Sequence, residues 1–264
     1  MSATRALIFD CDGVLADTER DGHLVAFNQA FAQLGLPFRW SAEEYAGLLK
    51  IGGGKERLAA YLAAHPEFDL GAEGQVLDVI AAVHKLKSQL YVDLVEGGAL
   101  PARPGVRRLI TEALDAGWQV AVASTSASRS VQAVLSSVIG ANNTKRVSGV
   151  FAGDIVSAKK PAPDIYLLAL RELGRSTDEA VVVEDSEAGA AAAARAGLRH
   201  IVTLSHFTTN DPFPHASAVV SDLGDYDAPA RLVSGQDIRN SQGVVDLSGI
   251  EALLPQPNEA LAAR

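Results

Sequence analysis

The sequence predicts an α/β protein: a doubly wound, Rossmann-like parallel sheet with an α-helical cap inserted after its first strand. Three observations carry that expectation. From Val106 onward, short apolar runs alternate with amphipathic stretches of helical length, the rhythm of a parallel sheet with helices on both faces. One further apolar run, Ala6 to Phe9, stands far upstream, and the stretch from about Glu19 to Glu96 reads as helices. Three of the apolar runs end on acids or hydroxyls, at the carboxyl ends where parallel sheets collect ligands. The 264 residues suffice for a core of residues 1–17 and 100–264 and a cap of residues 18–99.

The first strand runs into Asp10-Cys-Asp12-Gly-Val-Leu15. Side chains alternate along a strand, so Asp10 and Asp12 lean one way and Cys11 the other, and Gly13 lets the chain turn sharply. Two acids at one strand tip repel each other and require a cation, a shared proton or both. Asp and Gly also build ordinary turns. An EF-hand loop would need further oxygen ligands and a closing Glu, and Asp17, Glu19 and Asp21 do not supply that spacing.

The cap follows. Leu24, Phe27, Phe31 and Leu34 keep helical spacing until Gly35-Leu-Pro37, and Ser41 with Glu44 forms a capping-box pattern opening a second helix. Gly52-Gly-Gly54 precedes a helix from Lys55 to about Ala64, a Pro/Gly-containing loop runs to Gly74, and a long helix spans roughly Gln75 to Val95. Glu96 to Gly105 is a linker by composition. In the core, helices from Val106 to Ala116, after Ser128, from Asp164 to Leu173 and after Ser186 alternate with strands. Those strands are Trp118 to Ala123, Gly149 to Gly153, Ala180 to Val183 and Arg199 to Leu204. From Leu223 the chain is rich in Gly, Pro and Asp, with one apolar patch near Val244 to Leu254, and reads as an edge appendage. No internal repeat is present.

Chemistry-bearing residues gather at the strand ends. After Asp10 and Asp12 come Ser124, Thr125 and Ser126, hydroxyls at a helix entrance suited to an anion. Lys159-Lys160-Pro161 follows, with a lysine fixed near a helix start, and then Glu184-Asp185. Each has an ordinary reading as a cap, a solvated cation or a dipole partner; together they place acids, hydroxyls and a cation at successive tips of one sheet. In the cap, Gly52 to Gly54 permit close backbone approach and Lys55 and Arg57 follow, although the glycine spacing and Glu56 exclude a Walker A loop. On the long helix, Val76, Ile80, Val83, Leu90 and Leu94 form an apolar stripe whose missing member is Lys87, with His84 and Lys85 on the same turn. A cation there either meets an anion or snorkels to water.

The order of these segments resembles the haloacid dehalogenase superfamily. Its first motif matches Asp10-Cys-Asp12-Gly-Val-Leu15, its second Ser124, its third Lys160 before Pro161 and its fourth Glu184-Asp185, and the insert resembles that superfamily's first-type cap. Gly13 to Glu19, Leu48 to Arg57, Ser124-Thr-Ser126 and Glu184-Asp-Ser186 resemble the CbbY-like branch, so the resemblance covers nearly the whole chain up to the tail. That family dephosphorylates xylulose 1,5-bisphosphate, a misfire product that inhibits Rubisco, the carbon-fixing enzyme of the Calvin cycle. The resemblance implies Mg²⁺ held by Asp10, the backbone carbonyl of Asp12, Asp185 and Glu184. It also implies a nucleophilic Asp10 forming an aspartyl-phosphate, with Asp12, kept protonated by its acidic neighbours, as acid and then base. Ser124 and Lys160 hold the phosphoryl oxygens. Substrate contacts extend to Thr125 and Ser126, to Glu19 at the cap hinge, and to Gly53, Gly54, Lys55, Arg57, His84 and Lys87.

Composition narrows the alternatives. A formal charge of −9 argues against general nucleic-acid binding, and no apolar stretch reaches the roughly 18 residues of a membrane helix. A single cysteine, Cys11, excludes an internal disulfide and reads as buried strand filler. Met1 to Arg5 is too short for a targeting signal, so the expected location is bacterial cytoplasm or, for a mature import, the chloroplast stroma. The expected partner is a small sugar phosphate, and the expected state a monomer. A phosphomutase related to β-phosphoglucomutase shares the core and cap and stays open. A dehalogenase lacks the second acid supplied by Asp12, and a non-catalytic binding module would have lost a catalytic carboxylate.

Overall fold

The computed structural model describes residues 4–68, 70–98 and 100–255. Met1, Ala99 in the linker, and the last residues of the tail lie outside the described residues. Seven strands form one sheet: β1 (Ala6–Phe9), β2 (Gln119–Ser124), β3 (Gly149–Ala152), β4 (Ala180–Glu184), β5 (Arg199–Thr203), β6 (Ala218–Val220) and β7 (Leu232–Gly235). Their order is β3-β2-β1-β4-β5-β6-β7, all parallel except the β6–β7 pair. Parallel strands are covered on both faces, so β1 and, as far as Glu184, β4 are apolar without alternation, and both are fully buried.

The chain leaves β1 towards β2 and β3, then returns to β4 on its other side, so the order reverses at β1 and opens a crevice at its carboxyl end. Phe9 is in register with Val122 and Val183, which brings Asp10 level with Ala123 and Glu184. Leu7 and Phe9 face α5 (Val106–Asp115), α6 (Ser128–Thr144) and the tail residues Val245 and Ile250. Ala6 and Ile8 face α7 (Asp164–Leu173) and α8 (Glu187–Arg195).

The insert begins with a π-helical turn at Glu19–His23 and continues as α1 (Leu24–Gln33), α2 (Ala42–Leu48), α3 (Gly54–Ala64) and α4 (Glu73–Glu96). The capping box at Ser41 and Glu44 forms as the spacing predicts. Phe27, Phe31, Trp40, Tyr45, Leu58 and Val83 give the insert its own core, and Phe207 from the loop after β5 packs against it. Elsewhere the observed elements match the expected ones to within a few residues at each end, the usual fraying of boundaries. β6 is new: three residues carry no readable alternation. The tail supplies the antiparallel edge strand β7 and a short helix, α9 (Leu247–Glu251), against α5.

Candidate active site

At the β1 crevice, acids from two strand ends converge on one lysine. Lys160 Nζ donates to Asp10 Oδ1 at 2.6 Å, to Glu184 Oε1 at 2.7 Å and to the Ala123 carbonyl at 3.0 Å. Tyr166 Oη also donates to Glu184. Ligand oxygens of Asp10, Glu184 and Asp185 lie within 4.8 Å of one another, and all three residues are buried. Gly13, at φ +80°, makes this possible: a Cβ there would overlap the Asp185 carboxylate.

Three clustered carboxyls with one ammonium among them leave negative charge uncompensated. Burial, with Glu184 and Asp12 adding repulsion and Lys160 opposing, raises Asp10 to about 8. Burial and the charges of Glu184 and Asp10 push Asp185 well up. Buried Glu184 moves down instead, because Lys160, Tyr166 and the Asp185 amide bond to it. A hard divalent cation answers this imbalance, and an all-oxygen donor set suits Mg²⁺ better than a soft metal. Asp10, Asp185 and Glu184 would hold it.

Asp12 points elsewhere. Its Oδ1 accepts from Thr18 Oγ1 at 2.6 Å and from His23 Nε2 at 2.9 Å, and its Oδ2 from Ser126 Oγ. Burial would raise its pKa, but His23, Ser126 and Thr18 together outweigh burial and hold it below the usual carboxylate range. The expectation that acidic neighbours keep Asp12 protonated is therefore corrected: its side chain sits among three hydrogen-bond donors.

His23 is the residue that sequence reasoning missed. Lys87 Nζ lies 2.8 Å from His23 Nδ1, so a line of hydrogen bonds runs Lys87–His23–Asp12. Tyr91 stacks on the imidazole at 4.0 Å. Lys87 is 8% exposed, and burial lowers it to about 8, with Glu19 and Asp12 opposing. The lysine in the apolar stripe thus meets a histidine backed by a carboxylate. The only linear signal for His23 was its place one helical turn beyond Glu19.

A cavity of about 730 Å³ rises from this floor to the insert. Asp10, Asp12, Ser124, Thr125, Ser126, Lys160 and Asp185 line it from the core; Glu19, Gly53, Gly54, Arg57, His84 and Lys87 line it from the insert. Arg57 is buried, donating to Tyr45 Oη at 2.7 Å and to the Leu48 carbonyl at 3.1 Å, while Tyr45 Oη donates to Glu19 at 2.6 Å. Burial and the cations Lys87 and Lys55 lower His84 to about 4. Lys55 does not line the cavity; its Nζ faces Asp154 at 3.9 Å. Arg103, read only as linker, is buried and donates to the carbonyls of Gly13, Leu204 and Ser221, tying the return crossing to the motif loop.

These features define a hydrolase with an acidic floor beneath a covered cavity, and a family model described as haloacid dehalogenase-like hydrolase matches residues 4–197. The chain belongs to that family of enzymes. Within it, the chain is 46% identical over 222 residues to a CBBY-like protein of Arabidopsis thaliana, covering 83% of this chain and 69% of that one. A crystal structure of mutant CbbY from Rhodobacter sphaeroides in complex with xylulose-(1,5)bisphosphate matches at TM-score 0.77 and 40% identity, covering 83% and 94% of the two chains. That of a putative β-phosphoglucomutase from Thermotoga maritima matches at TM-score 0.61 and 26% identity, covering 82% and 94%. No helix among the described residues is long and apolar enough to cross a membrane.

Proposed function

We propose that this hydrolase is a Mg²⁺-dependent sugar-phosphate phosphatase acting through an aspartyl-phosphate on Asp10, with xylulose 1,5-bisphosphate as substrate. The observation that carries the reading is the cluster of Asp10, Glu184 and Asp185, with Lys160 bonded to the first two, at the floor of a cavity whose far wall is cationic. The likeness to CbbY in complex with that sugar bisphosphate supports the choice of substrate.

Phosphoryl transfer is mostly positioning and charge neutralisation. Bound Mg²⁺ would neutralise the phosphoryl oxygens and the carboxylates beside them. Lys160 holds one oxygen of Asp10 and leaves the other free for in-line attack on phosphorus. Ser124, with the amides of the following turn, holds the equatorial oxygens. A phosphoryl dianion brought against Asp12 repels its charge, raises its pKa and favours the proton it then donates to the leaving alkoxide. Asp12 next takes a proton from water to release phosphate, with Thr18, His23 and Ser126 fixing its aim. Arg57, His84, Lys87 and the Gly53–Gly54 backbone receive the distal phosphate and sugar, and Glu19 accepts from a sugar hydroxyl. Residues 18–99 act as a cap on a monomeric enzyme of bacterial cytoplasm or plastid stroma.

The test is phosphate release from a panel of sugar mono- and bisphosphates, with xylulose against ribulose 1,5-bisphosphate as the critical pair. Preference for xylulose 1,5-bisphosphate supports the reading, and equal or no release from both removes it. A β-phosphoglucomutase-like mutase is the second reading, favoured by the Thermotoga likeness. It would interconvert sugar monophosphates without free phosphate.

A further inference from the structure

Four charged side chains bridge the insert and the core at the rim of the cavity and have no part in the chemistry above. Lys159 Nζ lies 2.6 Å from Glu56 Oε1 on α3 and 3.0 Å from Asp154 Oδ1 in the loop after β3. Lys55, next to Glu56, faces Asp154 Oδ2 at 3.9 Å. The order Glu56–Lys159–Asp154–Lys55 therefore alternates in sign and crosses between insert and core twice. Its Lys159 side chain is 22% exposed, against 70% for Asp154. The seat is tight: a Cβ on Gly53, at φ +97°, would overlap the Glu56 carboxylate and lie 2.9 Å from Lys159 Nζ. Hydrogen bonding to Lys159 holds the Asp154 carboxyl below its usual range.

The neighbours of these residues give the bridge its meaning. Glu56 lies between Gly53–Gly54 and Arg57, which line the cavity, while Lys159 precedes Lys160, which grips Asp10. A hold at this point sets the distance between the two walls. We propose that Glu56 and Lys159 form a clasp that seats the insert on the core and thereby positions the insert's wall against the substrate. They are positioning residues, touching neither phosphorus nor metal. An isolated exposed ion pair contributes little to folding, but an equilibrium between seated and unseated states near balance responds to small energies. Screening by salt weakens such pairs.

The substrate side of this inference rests on the phosphatase reading, so the experiment includes a readout without turnover. Leu77→Cys on α4 and Leu167→Cys on α7, both exposed, carry a donor–acceptor fluorophore pair, while Cys11 is buried and silent. Transfer efficiency should fall on raising NaCl from about 0.05 M to about 1 M. Glu56→Gln and Lys159→Gln should each lower it at low salt, the double variant should match Lys159→Gln alone, and salt should then have little effect. With the sugar bisphosphate, each variant should raise KM about two- to fivefold, while kcat for p-nitrophenyl phosphate, which does not reach the insert's wall, stays within about twofold. Unchanged transfer in both single variants, or a double variant that loses the sum of the two, overturns the clasp. A wild-type enzyme inactive on every sugar phosphate overturns the phosphatase reading instead, and the fluorescence still decides the clasp.

Discussion

Asp10 and Asp12 are two residues apart, and their surroundings shift their pKa values in opposite directions. Burial and the charge of Glu184 raise Asp10 against the pull of Lys160, whereas Asp12 collects three donors and is lowered despite burial. Asp10→Asn should cut steady-state phosphate release by about a thousandfold or more, since the proposed nucleophile is gone. Asp12→Asn keeps the nucleophile and should lose about 10²–10⁴ in kcat, an acid-quench assay showing slowed departure and hydrolysis. An Asp12→Asn enzyme with full turnover removes its acid–base role. Lys87 gives a pH test. Its folded value of about 8 lies below the ordinary 10.5, so between those pH values the unfolded chain binds more protons than the folded one. Lys87 therefore makes stability rise with pH across that window. Urea unfolding at pH 8 and pH 10 should show a smaller rise in Lys87→Met than in wild type. The acids were legible because strand alternation and a glycine stood beside them. His23 was not, because its partners Asp12 and Lys87 lie 11 and 64 residues away in sequence.

At the scale of elements, the crossings between core and insert are the vulnerable joints. Gly13 combines a left-handed φ with contact against Asp185, so Gly13→Ala should cost about 1–2 kcal/mol in backbone strain alone, read by denaturant unfolding. Activity should fall further than stability, because Asp185 must give way. Arg103 ties the second crossing to Gly13, Leu204 and Ser221. Arg103→Met leaves those carbonyls unpaired and should destabilise by about 2–3 kcal/mol. A midpoint within error of wild type would show that the guanidinium does not hold the joint. Helix periods and caps were readable in the sequence, as at Ser41 and Glu44, because they depend on residues three and four apart. The strand Ala218–Val220 was not, being too short to carry a period.

For the whole molecule, the cavity is lined from both the strand ends of the sheet and the inserted helices. Phe207 reaches from the loop after β5 to the aromatic core of the insert, 6.2 Å from Tyr45 between ring centroids, and lines the cavity as well. Phe207→Ala should raise KM for the bisphosphate more than it lowers kcat for a small phosphate ester; equal loss in both would mean the ring serves folding alone. Removing divalent metal with EDTA should abolish phosphate release, and adding Mg²⁺ should restore it. Isothermal titration of the metal-free enzyme with Mg²⁺ should lose its heat in Asp185→Ala.

From the sequence alone came the doubly wound core, the helical insert and the acids, hydroxyls and lysine that meet at the strand ends. Those follow from spacing along the chain, since alternation, helical period and turn residues act over a few residues. The charge state of Asp12, the line from Lys87 through His23, and the turn of Lys55 away from the cavity towards Asp154 were decided only by tertiary structure. Charge depends on which groups share a low-dielectric space, and residues distant along the chain share one only after the sheet and the insert have closed around it.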